Sequence, residues 1–131
     1  MRKYLLLILL FLSLSGCSVA TPTITDTGEP GSIKALIFFD ANHNGVLDTG
    51  EQGVAGRIML SQQLSCPPSD ATKITRQPTE PDGWAVFSNL KPGKYCVGAD
   101  VNVAATTRGV LEAYLSSKQE AQVSFGLADM P

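Results

Sequence analysis

Residues 83–99, Gly-Trp-Ala-Val-Phe-Ser-Asn-Leu-Lys-Pro-Gly-Lys-Tyr-Cys-Val-Gly-Ala, decide the fold class. Two short runs with aromatic and β-branched residues, 83–88 and 94–99, flank the turn-forming cluster Asn89-Leu90-Lys91-Pro92-Gly93. The pattern predicts a β-hairpin in which Phe87 pairs with Tyr95, Val86 with Cys96 and Ala85 with Val97. Strand side chains alternate between faces. Ala85, Phe87, Tyr95 and Val97 therefore share one face of this hairpin, and Trp84, Val86 and Cys96 share the other.

The same signals extend in both directions. Residues 32–39 (SIKALIFF) form a compact apolar run, and 56–64, 71–77, 101–107, 109–115 and 120–127 are further strand candidates. A short helix is the other reading of 109–118, because short apolar runs are ambiguous. Gly, Pro, Asn and Asp separate the segments at the close spacing of an all-β sandwich. The expectation is an antiparallel β-sandwich of about seven strands, with no internal repeat.

The 131 residues amount to one domain, and a 44 % hydrophobic content is that of a globular chain. The formal charge is −2, with 10 basic and 12 acidic residues. Scattered bases on a mildly acidic chain leave no electrostatic footprint for nucleic acid. A single His leaves little room for His-based catalysis or a His-rich metal site.

Residues 40–51 read Asp-Ala-Asn-His-Asn-Gly-Val-Leu-Asp-Thr-Gly-Glu. This fits the calcium-loop pattern D-x-[DN]-x-[DN]-G-x5-E at every specified position. Calcium takes six to eight hard oxygen ligands. Asp40, Asn42 and Asn44 supply side-chain oxygens from alternate positions, and Gly45 permits the sharp turn. Val46 offers its backbone carbonyl, Asp48 binds directly or through water, and Glu51 closes the shell. The flanks exclude an EF-hand: the chain before Asp40 is β-like, and Gln52-Gly53-Val54-Ala55-Gly56 is no helix. The expected cofactor is a structural Ca2+ held between two strands. A metal-free Asx-rich turn is the other reading of these residues. His43 falls at a non-ligand position.

At the N-terminus, Arg2 and Lys3 precede the apolar run Leu5–Leu14, the pattern of an export signal. The run is shorter than a membrane-spanning helix requires. It ends in Leu14-Ser15-Gly16-Cys17, which resembles the lipobox of bacterial lipoproteins. That resemblance implies a signal peptide over 1–16, cleavage before Cys17, and lipid on the Cys17 sulfur. Two or three acyl chains anchor a protein stably. Residue 18 is Ser rather than Asp, which favours the outer membrane if the cell has two. Residues 17–30, rich in Thr and Pro, read as a tether. Losing Arg2 and Lys3 with the signal takes the formal charge from −2 to −4.

Two blocks together resemble one family. Ile37-Phe38-Phe39-Asp40-Ala41-Asn42-His43-Asn44-Gly45, continuing through Asp48, Gly50, Glu51 and Gly53-Val54-Ala55-Gly56, is similar to the opening of SdrD B-like domains. Residues 83–97 match that family's G-x-Y-x-F-x-x-L-x-P-G-x-Y-x-V, with Ala85 in an aromatic position and Trp84 beside it. Val123-Ser124-Phe125-Gly126-Leu127 looks like its last strand. The resemblance covers about residues 31–128. It implies a prealbumin-like, Ig-like sandwich related to collagen-adhesin B-type domains: a non-catalytic bacterial surface module that binds calcium through Asp40, Asn42, Asn44, Val46, Asp48 and Glu51. A relative of this fold forms Lys–Asn crosslinks. Lys34 lies in the first strand, but the last strand has no Asn or Asp to receive it, so Lys34 reads as a solvated strand residue.

With Cys17 assigned to lipid, Cys66 and Cys96 remain in an exported chain and are expected to pair. Cys96 would then pin Cys66-Pro67-Pro68 onto the face carrying Trp84, and the 65–82 segment would cover that ring. The other reading leaves Trp84 open as a ligand contact, gripping sugar or peptide together with the 65–82 loop. No Ser-His or Cys-His arrangement exists beyond His43, and no second acidic motif lies outside the loop, so an enzyme is not expected. The sequence thus reads as an exported, membrane-anchored module with a structural or adhesive role. Its partners would be the membrane through Cys17 and a surface protein or polysaccharide.

Overall fold

The computed structural model describes residues 28–63 and 65–130. The expected signal segment 1–16, the lipidation site Cys17 and the tether as far as residue 27 lie outside the described residues, as does Leu64. The described residues form seven strands: β1 (Gly31–Phe39), β2 (Arg57–Ser61), β3 (Thr75–Pro78), β4 (Trp84–Leu90), β5 (Gly93–Ala99), β6 (Val110–Leu115) and β7 (Glu120–Leu127). They form a three-stranded sheet, β4-β1-β7, and a four-stranded sheet, β3-β2-β5-β6. All neighbours are antiparallel except β1 and β7, which run parallel.

The core follows the period of two. Ile33, Ala35 and Ile37 of β1, Ala85 and Phe87 of β4, and Phe125 and Leu127 of β7 meet Ile58, Leu60, Tyr95, Val97, Ala113 and Leu115 of the other sheet. β1 is the central strand of its sheet, with β4 on one edge and β7 on the other. Leu36 and Phe38 alternate to its outer face yet are only 2 % and 0 % exposed.

The 83–99 segment folds differently from the hairpin expected. β4 and β5 are consecutive but belong to different sheets. Phe87 pairs with Ile33, Val86 with Lys34 and Ala85 with Ala35, whereas Cys96 pairs with Ser61 and Glu112. Lys91-Pro92 carries the chain across the sandwich. The buried Tyr95 hydroxyl donates to the Lys91 carbonyl at 2.7 Å and ties this crossover to the start of β5. Ala85, Phe87, Tyr95 and Val97 do share the core, but they reach it from opposite sheets.

Other boundaries also shift. Residues 71–77 divide into one 3-10 turn, Ala71–Lys73, capped by the Asp70 side chain, and the start of β3. The 101–107 segment forms no named strand; Ala105 makes an isolated bridge to Leu127. In the stretch read as strand or helix, Val110–Leu115 is strand. The residues just ahead of β1 are held to the domain: the Gly28 N–H donates to Ser117 Oγ at 3.0 Å, and Glu29 pairs with Lys118 at 2.6 Å.

Cys66 and Cys96 are joined, with Cα atoms 5.4 Å apart. Cys96 alternates to the outer face of the four-stranded sheet. There the bridged segment brings Pro68 and Ile74 over Met59, Gly98 and Val110, around a small apolar space.

Candidate metal centre

β1 delivers Asp40 directly after Phe39, and the chain then leaves the sheet. It returns alongside β1 twelve residues later. The Phe39 N–H donates to the Gln52 carbonyl at 2.9 Å, and the Val54 N–H donates to the Ile37 carbonyl at 2.8 Å. Both ends of the 40–51 loop are therefore clamped to the same strand. The return occurs just ahead of β4, which begins at Trp84. The Gly83 carbonyl accepts the Ile37 N–H at 2.9 Å, and Gly53 packs against the backbone of Asp82 and Gly83. A Cβ on Gly53 would lie 1.6 Å from the Asp82 carbonyl oxygen, and one on Gly83 would lie 2.2 Å from that of Ile37. Only glycine fits at this crossing.

Inside the loop, His43 and Gly45 take left-handed backbone, φ 58° and 78°, which wraps the chain around its own side chains. Asp40 Oδ1 accepts the Asn44 N–H at 3.1 Å, and Oδ2 accepts that of Gly45 at 2.8 Å. Asn42 Oδ1 shares the Asn44 N–H at 3.1 Å, and Asn44 Oδ1 accepts the Val46 N–H at 2.8 Å. Glu51 staples the two sides, Oε1 accepting the Ala41 N–H and Oε2 that of Asp48, both at 2.9 Å. Asp48 Oδ2 receives the side-chain amides of Asn42 at 2.7 Å and Asn44 at 2.6 Å. Five of the six sequence-predicted ligands thus form one network through their side chains. The Val46 carbonyl takes none of these bonds, and the Val46 side chain is exposed.

Asp40 is the buried member, at 0 % exposure. Burial pushes its carboxyl up, but the Thr106 side chain and the backbone of Gly45, Asn44 and His43 together outweigh it and hold the group below its ordinary value. Thr106 Oγ1 is itself buried and lies outside good hydrogen-bond geometry for any acceptor, yet it sits beside this carboxylate. Gly126 of β7 makes the approach possible: a Cβ there would fall 2.4 Å from Thr106 Oγ1 and 3.1 Å from Asp40. Thr107 completes this wall by accepting the Gly126 N–H at 3.1 Å. Thr106 and Gly126 were not legible as site residues. The one hint was a glycine inside a strand, which marks close approach.

Among the described residues, no three His, Cys, Asp or Glu side chains are gathered as a metal-holding group. Asp40 and Glu51 spend oxygens on backbone N–H groups, and amides fill the remaining positions. The donor set is all hard oxygen with no sulfur, which suits calcium chemistry and not zinc.

Trp84 lies elsewhere, on the outer face of the three-stranded sheet. The Cys66–Cys96 bridge covers the outer face of the other sheet, so the disulfide does not lay the 65–82 segment over the indole. The end of that segment does reach Trp84 through the backbone: the Glu80 N–H donates to the Trp84 carbonyl at 2.7 Å, and Asp82 Oδ1 accepts the Trp84 N–H at 3.2 Å. The ring instead has Lys34 Nζ 5.7 Å over its centroid, and Lys34 reaches Glu120 at 3.7 Å. Lys34 is thus a half-exposed outer-face residue.

A family model described as the SdrD B-like domain matches residues 31–124. Among curated proteins, Colossin-B of Dictyostelium discoideum is 30 % identical over 69 residues, 50 % of this chain and 2 % of that protein. Among solved structures, a streptococcal ancillary pilin superposes with a TM-score of 0.55 at 16 % identity, over 79 % of this chain and 33 % of the other. The full-length major pilin SpaD from Corynebacterium diphtheriae gives 0.51 at 14 %, over 76 % and 32 %. The chain therefore spans a minor part of each of these proteins, and at such identities the pilins share its fold.

Proposed function

The chain belongs to the SdrD B-like domain family, and from that premise we propose that it is a non-catalytic, calcium-stiffened surface module, lipid-anchored through Cys17, with a structural or adhesive role. The observation that carries this reading is the 40–51 loop. Asp40, Asn42, Asn44, Asp48 and Glu51 are already gathered into one network around a turn clamped to β1 at both ends. The side-chain amides of Asn42 and Asn44 point N–H groups at Asp48. Turned about, each presents an oxygen instead, and an ion between those oxygens replaces the hydrogens as the bridge. The Val46 carbonyl completes the set. A divalent ion offsets two of the three negative charges, which otherwise repel.

The proposed geometry also suits display. The chain enters the domain at Gly31, and the loop follows Phe39 at the other end of a nine-residue strand, about 30 Å away at the usual rise. An anchor at Cys17 therefore leaves the calcium loop on the end away from the membrane. The envisaged partner there is a surface protein or a polysaccharide.

Calorimetric titration of calcium into chelator-treated protein tests the reading. With only three charged ligands, the expected dissociation constant is on the order of 10⁻⁴ M, as in extracellular modules. Magnesium, which demands a tight octahedron, should bind poorly. Absence of saturable calcium heat overturns the metal site. Membrane retention of a Cys17→Ser variant equal to wild type overturns the anchor.

A further inference from the structure

Asn44-Gly45 is an asparagine–glycine pair placed inside the loop, and Asn44 is exposed. Such a pair carries its own reaction, because a glycine nitrogen has no neighbouring side chain to hinder its approach to the asparagine amide. The Gly45 nitrogen attacks Asn44 Cγ. The bond from Cγ to the amide nitrogen breaks, and that nitrogen leaves as ammonia, taking up the Gly45 proton. A five-membered succinimide remains. Water then adds to one of its two carbonyls and opens the ring. The overall change is hydrolysis of one amide, with no oxidation or reduction. One opening gives an ordinary aspartyl residue; the other gives an isoaspartyl linkage, with one extra carbon in the main chain.

The folded loop holds both reacting groups. The Gly45 N–H is directed at Asp40 Oδ2 at 2.8 Å. The Asn44 side chain is fixed at both ends, Oδ1 by the Val46 N–H at 2.8 Å and Nδ2 by Asp48 at 2.6 Å. Attack on Cγ requires these bonds to break, so the reaction proceeds from the opened loop.

We propose that Asn44-Gly45 is a self-modification site of the loop, closed by the loop's own hydrogen bonds and by a bound divalent cation, and released when the cation is withdrawn. The gating by cation rests on the calcium reading; the reaction itself does not. The two products act in opposite directions. The aspartyl product loses the amide that now bonds Asp48 and sets two carboxylates against each other, which loosens the empty loop. It also adds a fourth charged ligand, which tightens cation binding. The isoaspartyl product lengthens the main chain between positions 44 and 45, so the N–H at 45 no longer meets Asp40 and binding weakens.

Peptide mapping by mass spectrometry of the full chain, incubated at mildly alkaline pH in EDTA or in calcium, tests this. Acid conversion should accumulate at Asn44 in EDTA and outpace that at Asn42, Asn89 and Asn102, which precede His43, Leu90 and Val103. Calcium at ten times its dissociation constant should slow it about tenfold, because binding lowers the open fraction by mass action. The Asn44→Gln variant should show no conversion at that position, and Asn44→Asp should bind calcium more tightly than wild type in calorimetry. Conversion at Asn44 no faster than at the other three asparagines overturns the proposal and leaves the calcium reading intact. Equal rates in EDTA and calcium, with binding heat still present, overturn the gating. Conversion confined to Asn44 with neither protection nor heat supports the reaction and overturns the calcium reading.

Discussion

Removing the Cys66–Cys96 bridge should cost a large share of the stability margin of a domain this size. The bond closes a sequence separation of 30 residues, for which loop-closure entropy gives roughly 3.5 kcal/mol at room temperature. Small domains are stable by only about 5–15 kcal/mol, so the double variant Cys66→Ala/Cys96→Ala should fold with a much reduced margin. The expected fall in melting midpoint is on the order of 15–25 °C, at about 4–8 °C per kcal/mol. Urea unfolding of wild type, both single variants and the double variant is the assay. Each single variant should cost about as much as the double, because either breaks the same crosslink. The denaturant slope should rise, since an unbridged unfolded chain exposes more surface. A double variant within about 1 kcal/mol of wild type contradicts the reasoning, because the entropic contribution alone exceeds that.

Three shorter predictions follow from the loop and its clamp. Asp40 has its carboxyl held below the ordinary value, so its contribution is fully present above the unfolded-state pKa, about 3.9. It is lost as pH falls through the lower folded value; Asp40→Asn should flatten this acid limb of the stability profile, and an unchanged limb contradicts the assignment. Gly83→Ala meets both left-handed backbone at φ 84° and the Ile37 carbonyl, so urea unfolding should show a cost above the roughly 1–2 kcal/mol of the backbone strain alone. Gly50→Ala, at φ 98° with open space around it, should cost no more than that strain; equal costs at the two sites contradict the crossing described for Gly53 and Gly83.

How much could be read in advance divides along physical lines. Alternation and turn residues are local properties, so the strands of 32–39, 83–88, 94–99 and 120–127 were visible, as was the division of 83–88 and 94–99 into two faces. Pairing is not local. Phe87 and Tyr95 point inward whether their strands lie side by side or face each other across the core, and Asn89–Gly93 is long enough for a hairpin or a crossover. The deciding fact is that β1 takes β4 as its neighbour, which no pattern within 83–99 expresses. The misplaced cover over Trp84 follows from the same error, because it assumed that Cys96 and Trp84 share a face. The extent of the 40–51 loop was legible, since its Asx and Gly pattern lies within one contiguous dozen. Its wall of Thr106 and Gly126 was not, because those residues reach Asp40 only once β7 lies beside β1.

The central claim is that residues 40–51 hold a calcium ion that stiffens the domain, and thermal unfolding with and without the ion tests it most directly. Calcium at a hundredfold excess over its dissociation constant, about 10 mM, should stabilise the native state by about 2.7 kcal/mol. For a domain of this size that is a rise of roughly 10–20 °C over the midpoint in EDTA. Glu51→Gln keeps an oxygen to accept the Ala41 N–H but removes a charged ligand, so its response should be much smaller. A wild-type midpoint identical in calcium and in EDTA would contradict the account and leave residues 40–51 as a hydrogen-bonded Asx-rich turn.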